Sequence, residues 1–218
     1  MILLIYGASG LAKEIYDLIQ RSMPKRWEKI LFIDDFRKEG SCYLSESVHF
    51  SSISKLFPNG YNELEGIVAI GEPSNREILY KRFIKSGIKM ATIIDKTSYV
   101  SPTARIEEGT VICEMTTIHA DVFIGKNVLI QPFCNIGHDI KIGNHSVLSS
   151  FAAPGGGDVF GERVYVGMQS SIKEKLNIGD DAIIGMGSAV FRDIETGTTV
   201  VGSPARQTIG NKEHKVFN

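Results

Sequence analysis

IQPFCNIGHDIKIGNHSV, residues 130–147, places an isoleucine at every sixth position. The same six-residue step runs from Val100 to Val190, where fifteen of sixteen positions are apolar and Pro154 is the exception. The 3.6-residue period of an α-helix does not keep this frame over ninety residues. A hexapeptide period predicts a parallel β-helix, in which each hexad forms one flat side and stacked coils share a core.

The composition is that of an ordinary soluble globular protein. The 218 residues are 43% hydrophobic and 22% charged, with a net charge of −1 and no long basic run. We therefore expect no nucleic-acid partner, because such partners require a basic surface. No apolar stretch approaches the roughly 20 residues of a membrane span, so no membrane span is expected either.

Three cysteines, Cys42, Cys113 and Cys134, are odd in number and far apart. They form neither a disulfide framework nor a CxxC metal or redox pair. The first six residues, MILLIY, have no basic segment before them and run into a glycine turn, so they predict a buried strand rather than a signal peptide. A cytoplasmic, reduced protein is the expectation.

The first 95 residues follow a different period from the rest. Apolar strands alternate with helical segments, which predicts a parallel sheet covered by helices. The segment GASGLA, residues 7–12, lies between a strand and a helix and could cradle a phosphate, although a plain tight turn is the alternative reading. We therefore predict two domains, 1–95 and 96–218. The first is too short for a complete dinucleotide-binding domain.

The hexads resemble those of the left-handed β-helix acyltransferases, and the segments YGASGLAKE, FIDD and AIGEPSNRE narrow the likeness. Together they resemble the nucleotide-sugar acetyltransferases of bacterial surface-glycan synthesis, which include the bacillosamine-pathway N-acetyltransferase and the sialic-acid O-acetyltransferase group. The resemblance implies a Rossmann-like α/β sheet followed by a left-handed parallel β-helix. It also implies acetyl-CoA as co-substrate, a nucleotide-linked amino sugar as acceptor and a homotrimer with its sites between subunits.

His138 and Asp139 are the candidate catalytic pair. In the family three hexads make one coil, so His138 is expected to lie beneath Gly156, next to the break at Pro154. A His followed by an acidic residue matches the family pattern. The resemblance implies His138 as general base, Asp139 as its modulator and Gly156 N–H as a contact of the thioester carbonyl. The alternative is that His138 only fills a corner and Asp139 only makes a turn.

Coenzyme contacts in the family map onto Met168 and Met186, which lie one coil apart and could instead pack between subunits. Arg206 could reach a coenzyme phosphate or form a surface salt bridge. His119 and His145 are expected to be solvated. Because no three histidines share an edge, no metal is expected.

The family resemblance also implies which residues of the first domain contact the nucleotide of the acceptor. These predicted contacts are Ser9, Gly10, Leu11, Asp34, Asp35 and Gly71. Many family members have a histidine where this chain has Leu11, which leaves one phosphate or sugar contact unassigned.

The leading functional hypothesis is an N-acetyltransferase acting on a UDP-linked 4-amino-4,6-dideoxyhexose. O-acetylation of a sugar such as sialic acid is the alternative enzyme activity, with the same base acting on a hydroxyl. A catalytically silent nucleotide-sugar-binding scaffold is the third possibility.

Overall fold

The computed structural model describes residues 1–36, 47–58, 60, 62–210 and 215–217; Cys42 lies outside this part of the chain. In its described residues, the first domain, called the head below, contains five strands and three α-helices, and a 3₁₀ turn at Phe50–Ser52 precedes the second helix. In chain order they are β1 (Ile2–Tyr6), α1 (Gly10–Ser22), β2 (Lys29–Ile33), β3 (Ser47–Val48), α2 (Ile53–Leu56), β4 (Leu64–Val68), α3 (Pro73–Lys85) and β5 (Lys89–Met90).

The head is a parallel sheet with strand order β3-β2-β1-β4-β5. The side chains of the central strand, β1, show why other elements pack on both faces of this sheet. Leu3 and Ile5 point into one apolar cluster with α1, whereas Leu4 and Tyr6 point into another that includes Phe83 of α3. The predicted Rossmann-like architecture is confirmed, and its strand order changes direction between β1 and β4, where open α/β sheets bind their ligands.

The apolar segment KMATIID, residues 89–95, does not form one continuous strand. Lys89–Met90 pairs with β4 in the head, whereas Ile93–Ile94 pairs with Val111–Ile112 in the β-helix. Ala91 and Thr92 between them belong to no strand. The chain therefore passes directly from one sheet to the other, because both apolar ends of the segment are buried in different cores.

From Ile93 onward the chain winds into the predicted parallel β-helix. Residues eighteen apart pair in parallel, as Phe123 does with Lys141 and Lys141 with Val159. The strands are two residues long and recur every six: Ile93–Ile94, Tyr99–Val100, Arg105–Ile106, Val111–Ile112, Thr117–Ile118, Phe123–Ile124, Leu129–Ile130, Asn135–Ile136, Lys141–Ile142, Val147–Leu148, Ala153–Pro154, Val159–Phe160, Tyr165–Val166, Ser171–Ile172, Asn177–Ile178, Ile183–Ile184 and Ala189–Val190. Thr198–Val201 and Arg206–Gly210 close the helix as an antiparallel pair. The apolar residues of the hexads form its core.

From Gly109 to Gly187, each corner of the β-helix contains a residue in the left-handed backbone region. The non-glycine members lie six residues apart or at multiples of six: Met115, Asp121, Asn127, Phe133, Asp139, His145, Phe151, Arg163, Gln169, Lys175 and Asp181. Gly109, Gly157 and Gly187 continue the same series. This backbone conformation is uncommon for residues that have a side chain. Because the turn repeats every six residues, it sets which residues face outward at these corners.

The head covers one of the three sides of the β-helix. Val111, Leu129 and Val147 of that side lie in the same apolar cluster as α1. No helix among the described residues is long and apolar enough to cross a membrane.

Arg76 of α3 is fully buried where the head meets the β-helix. Its guanidinium donates to the carbonyls of Val68 and Ile70 in the head and to Asn127 in the β-helix, at 2.8 to 3.0 Å. Burial lowers the pKa of Arg76 to about 9. Arg76 therefore links the two domains through backbone carbonyls rather than through a carboxylate.

Candidate functional site

His138 stands at an exposed corner of the β-helix, immediately before the left-handed turn at Asp139. Its Nδ1 lies 2.7 Å from Asp139 Oδ2, and the two side chains are 70% and 63% exposed. With Nδ1–H donating to the carboxylate, Nε2 keeps its lone pair and can accept a proton. The pair has the form of a general base whose tautomer is set by its neighbour.

The imidazole of His138 lies against Gly156 of the next coil. A Cβ at Gly156 would lie 2.7 Å from His138 Nε2 and 2.8 Å from Cε1, closer than real Cβ atoms approach. Gly157 N–H donates to the His138 carbonyl at 2.8 Å and joins the two coils beside the ring. The ring occupies the space that a larger side chain would need, which explains the glycine at this position.

The N–H groups of the glycine turn differ in their partners. Gly155 N–H donates to the Ile172 carbonyl and Gly157 N–H to the His138 carbonyl, whereas Gly156 N–H has no acceptor within the described part of the chain. An unpaired N–H beside a basic nitrogen can stabilise an oxyanion while the base removes a proton. The predicted stacking is therefore present; the catalytic roles of His138, Asp139 and Gly156 stay predictions.

Pro154 lies in the coil above His138. Although proline has no backbone N–H, Pro154 removes no hydrogen bond from that side of the β-helix. In the two coils around Pro154, the N–H donors of this side are Asn135, Gly137, Ala153 and Gly155, so the missing N–H of Pro154 is not needed. The Gly137 N–H to Pro154 carbonyl distance is 3.3 Å, long for this ladder. The break in the hexad series thus precedes the glycine turn without interrupting the coil.

Met168 and Met186 lie one coil apart on a different corner, which also carries the stacked rings of Phe133 and Phe151, 4.9 Å between centroids. Both methionines are exposed. One side of the β-helix separates this corner from that of His138, so a single chain does not bring the methionines to the imidazole. Their assignment to coenzyme A stays a prediction. Arg206, the other candidate, donates to its neighbour's carbonyl, Ala205 O.

A cavity of about 270 Å³ lies at the carboxyl end of the head sheet, where the strand order changes direction. Of the predicted contacts, Ser9, Asp34 and Asp35 line it. Asn75 and Arg82 also line it and were missed by sequence reasoning. Both lie on α3, and nothing in the local sequence distinguishes them from ordinary exposed helix residues.

Asp35 is already engaged by other side chains. Its Oδ2 accepts from Tyr6 Oη and Arg82 Nη1, each at 2.5 Å, and its Oδ1 accepts from Phe50 N–H at 2.8 Å. Burial opposes ionisation of Asp35, but these hydrogen bonds outweigh it and lower the pKa of its carboxyl. Asp34 accepts from Phe36 N–H through Oδ1. Any ligand contact of Asp35 thus requires sharing or displacing Arg82.

The remaining predicted contacts, Gly10, Leu11 and Gly71, do not line this cavity. Leu11 packs against the apolar cluster between the head and the β-helix. Phe217, near the end of the chain, lies 3.6 Å from the Cβ position of Gly71. Their assignments stay predictions.

The prediction that His145 is solvated is wrong, whereas His119 is exposed as expected. His145 is 6% exposed because the head covers its corner of the β-helix. Asn127 Nδ2 donates to its Nδ1 at 2.9 Å, and the Tyr80 ring lies 5.2 Å away between centroids. Burial lowers the pKa of His145 to about 4.

Two families match separate parts of the chain. Residues 2–83 match the PglD N-terminal domain, and residues 121–153 match the family described as bacterial transferase hexapeptide (six repeats). The curated acyl-[acyl-carrier-protein]–UDP-N-acetylglucosamine O-acyltransferase of Pseudomonas putida is 34% identical over 115 residues. That match covers 50% of this chain, which itself spans only 45% of that enzyme.

Solved structures match over nearly the whole chain. PerB from Caulobacter crescentus, determined in complex with CoA and GDP-perosamine, is 26% identical with a TM-score of 0.85, over 96% of this chain and 98% of that one. WeeI from Acinetobacter baumannii is 28% identical with a TM-score of 0.87, over 95% of this chain and 100% of the other. Since both domains match and these structures align almost end to end, the chain belongs to the left-handed β-helix sugar acetyltransferases of the PglD type.

Proposed function

We propose that this protein transfers the acetyl group of acetyl-CoA to the amine of a nucleotide-linked amino sugar, with His138 as general base. The observation that carries the proposal is the exposed imidazole of His138 in the space that a Cβ of Gly156 would occupy, next to a Gly156 N–H that has no acceptor in the described chain. The similarity to PerB, whose complex contains CoA and GDP-perosamine, supports this substrate class.

In the proposed reaction, the sugar amine attacks the thioester carbonyl while His138 Nε2 takes the proton that the nitrogen loses. The carbonyl oxygen becomes an oxyanion that Gly156 N–H stabilises. Collapse of the tetrahedral intermediate breaks the carbon–sulfur bond, and the coenzyme leaves as a thiol after taking the proton from the imidazolium. Asp139 stabilises the positive charge that His138 carries between the two transfers.

The head cavity is the proposed site of the nucleotide. It lies where ligands bind in open α/β sheets, next to the N-terminus of α1, which favours phosphate. Arg82 could bind a phosphate or a ribose if it released Asp35, and Asn75 and Asp34 can each form hydrogen bonds with a base edge. We propose UDP as the nucleotide carrier, attached to a 4-amino-4,6-dideoxyhexose.

We also propose a homotrimer, because the corner with His138 and the corner with Met168 and Met186 are separated within one chain. A second copy could bring Met168 and Met186 to the His138 corner of the first, with coenzyme A in the groove between them. We propose that the protein works in the cytoplasm, where it would meet acetyl-CoA.

The test is the release of CoA thiol from acetyl-CoA in the presence of separate UDP-, GDP- and dTDP-linked amino sugars and free sialic acid. We expect release with a UDP-linked amine and no release with sialic acid. Release with a GDP- or dTDP-linked amine would correct the nucleotide, and release only with a hydroxyl acceptor would establish O-acetylation. Binding of a nucleotide sugar without release under any condition would indicate a scaffold.

A further inference from the structure

Asp158 is a buried carboxyl group directly behind the proposed acetyl-transfer site. It is fully buried in the β-helix, two residues after Gly156. Its Oδ1 accepts from Leu176 N–H at 2.9 Å, whereas its Oδ2 is buried and has no hydrogen-bond partner. It is the one such side-chain atom in the described part of the chain. A buried polar atom without a partner is costly and calls for an explanation.

Hydroxyl groups at equivalent corners show what this position normally does. Thr110 Oγ1 accepts a hydrogen bond from Val128 N–H, eighteen residues later, at 3.1 Å. It donates a hydrogen bond to the Gly125 carbonyl, fifteen residues later, at 2.9 Å. Ser98 and Ser146 form the same two hydrogen bonds with residues at the same two offsets. The side chain thereby ties its own turn to the coil above.

Asp158 forms one of these two hydrogen bonds and lacks the other. Asp158 accepts a hydrogen bond from the N–H of Leu176, which lies eighteen residues later. The carbonyl of Lys173, fifteen residues later, receives no hydrogen bond among the described residues. An ionised carboxylate cannot donate, whereas the neutral acid carries one O–H that can. Burial raises the pKa of Asp158 to about 6, and the carboxylates of Glu174 and Asp193 add to the shift.

The turn that Asp158 would tie down is the glycine turn of the candidate site. Gly155 and Gly156 have no side chain to restrain them, and Gly157 adopts a left-handed conformation with φ of 76°. Backbone hydrogen bonds from Gly155 N–H to the Ile172 carbonyl and from Lys175 N–H to the Gly156 carbonyl already hold the turn to the coil above. Because three consecutive glycines keep much conformational freedom, a side-chain link from Asp158 adds a further restraint. Catalysis by an oxyanion donor requires that the N–H be held in place before the reaction.

We propose that Asp158 is a positioning residue that anchors the glycine turn to the coil above and so holds the Gly156 N–H against the imidazole of His138. This inference rests on the proposed function, because that function assigns the Gly156 N–H to the stabilisation of the oxyanion. Asp158 does not touch the substrate; it acts through Gly156.

Asp158→Val tests the proposal with a side chain that the fold already accepts, because Val122, Val128 and Val164 occupy equivalent corners. We expect kcat to fall at least tenfold while the KM values for acetyl-CoA and the amino sugar change less than threefold. Asp158→Asn keeps the acceptor and adds a permanent donor, so we expect it to restore kcat to within threefold of the wild type. Thr110→Val is the matched control, since it removes the same link at a corner away from His138.

Amide hydrogen exchange of the peptide spanning residues 152–160 provides a readout that does not depend on acetyl transfer. We expect exchange there to be at least tenfold faster in Asp158→Val and normal in Asp158→Asn and Thr110→Val. Unchanged exchange together with unchanged kcat in Asp158→Val would overturn the proposal. A fully active His138→Ala variant in the same assays would instead overturn the proposed function, while the exchange result would still decide the role of Asp158.

Discussion

Two histidines seven residues apart, His138 and His145, occupy neighbouring corners of the same β-helix and have opposite surroundings. His138 is 70% exposed, and its Nδ1 faces a carboxylate. His145 is 6% exposed, lies under the head and accepts a hydrogen bond from an amide. The corner backbone is the same, since Asp139 and His145 are both left-handed.

The difference shows that the β-helix supplies a repeated corner and that its neighbours decide what each corner does. Where the head covers the corner, burial keeps the imidazole neutral and Arg76 and Asn127 tie the two domains together. At the other corner no described segment covers His138, and the imidazole remains open to solvent and to a substrate. Changes at the open corner should therefore affect turnover, and changes at the covered corner should affect stability.

Replacing His138 by alanine should have the largest effect. Since a general base contributes roughly two to four orders of magnitude, we expect kcat for acetyl transfer to fall about a thousandfold with an unchanged melting temperature. Steady-state thiol release measures this effect. His119→Ala is the control, because His119 is an exposed histidine whose ring bonds to Asn135, and the variant should retain full activity. Near-normal turnover of His138→Ala would remove the proposed base.

Arg76→Met should have the largest effect at the covered corner. It leaves the carbonyls of Val68, Ile70 and Asn127 buried without their donor, and each such loss costs about 1 to 3 kcal/mol. We expect the free energy of unfolding to fall by about 3 kcal/mol or more, as measured by denaturant titration. The exposed Arg105→Met is the control, with a change below about 0.5 kcal/mol. Equal losses in the two variants would contradict a linking role for Arg76.

Acid should weaken the covered corner through His145. Its pKa is about 6.5 in the unfolded chain and about 4 in the folded one, so the unfolded state takes up the proton first as the pH falls. The contribution is complete above pH 6.5 and is lost as the pH falls towards 4, to a total of about 3 kcal/mol. The measurement is the free energy of unfolding at several pH values.

The control for this pH dependence is His145→Asn. Asparagine tolerates the left-handed backbone and can accept the hydrogen bond from Asn127, but it does not titrate. The difference in unfolding free energy between the wild type and this variant isolates the histidine from all other titrating groups. A difference that stays constant between pH 7.5 and pH 4 would show that His145 is not the responsible group.

Gly156→Ala should produce the smallest of these effects. The added methyl group would lie 2.7 Å from His138 Nε2 and push the exposed ring aside, so we expect kcat to fall about tenfold. In the His138→Ala background the same methyl group has room and should change residual turnover less than twofold. Equal effects in both backgrounds would show that the two residues act independently.

Sequence alone predicted the parts of the molecule whose contacts repeat at a fixed spacing. The family resemblance implies a coil of three hexads, and this together with the six-residue period placed His138 beneath Gly156. The head sheet followed from its alternating strands and helices in the same way.

What sequence could not predict depends on how distant segments dock. The burial of His145 and the link through Arg76 arise only when the head covers one side of the β-helix. The pairing of Asp35 with Arg82 joins residues 47 positions apart through a helix that shows no local sign of it. The split of residues 89–95 between two sheets likewise reflects two cores that compete for neighbouring apolar residues.

A crystal structure with CoA and a nucleotide-linked amino sugar tests the acetyl-transfer site most directly. The proposed mechanism predicts the sugar nitrogen about 3 Å from His138 Nε2, with the sulfur of CoA beside the Gly156 N–H. A sugar nitrogen bound at another corner, with the imidazole of His138 facing solvent alone, would contradict it.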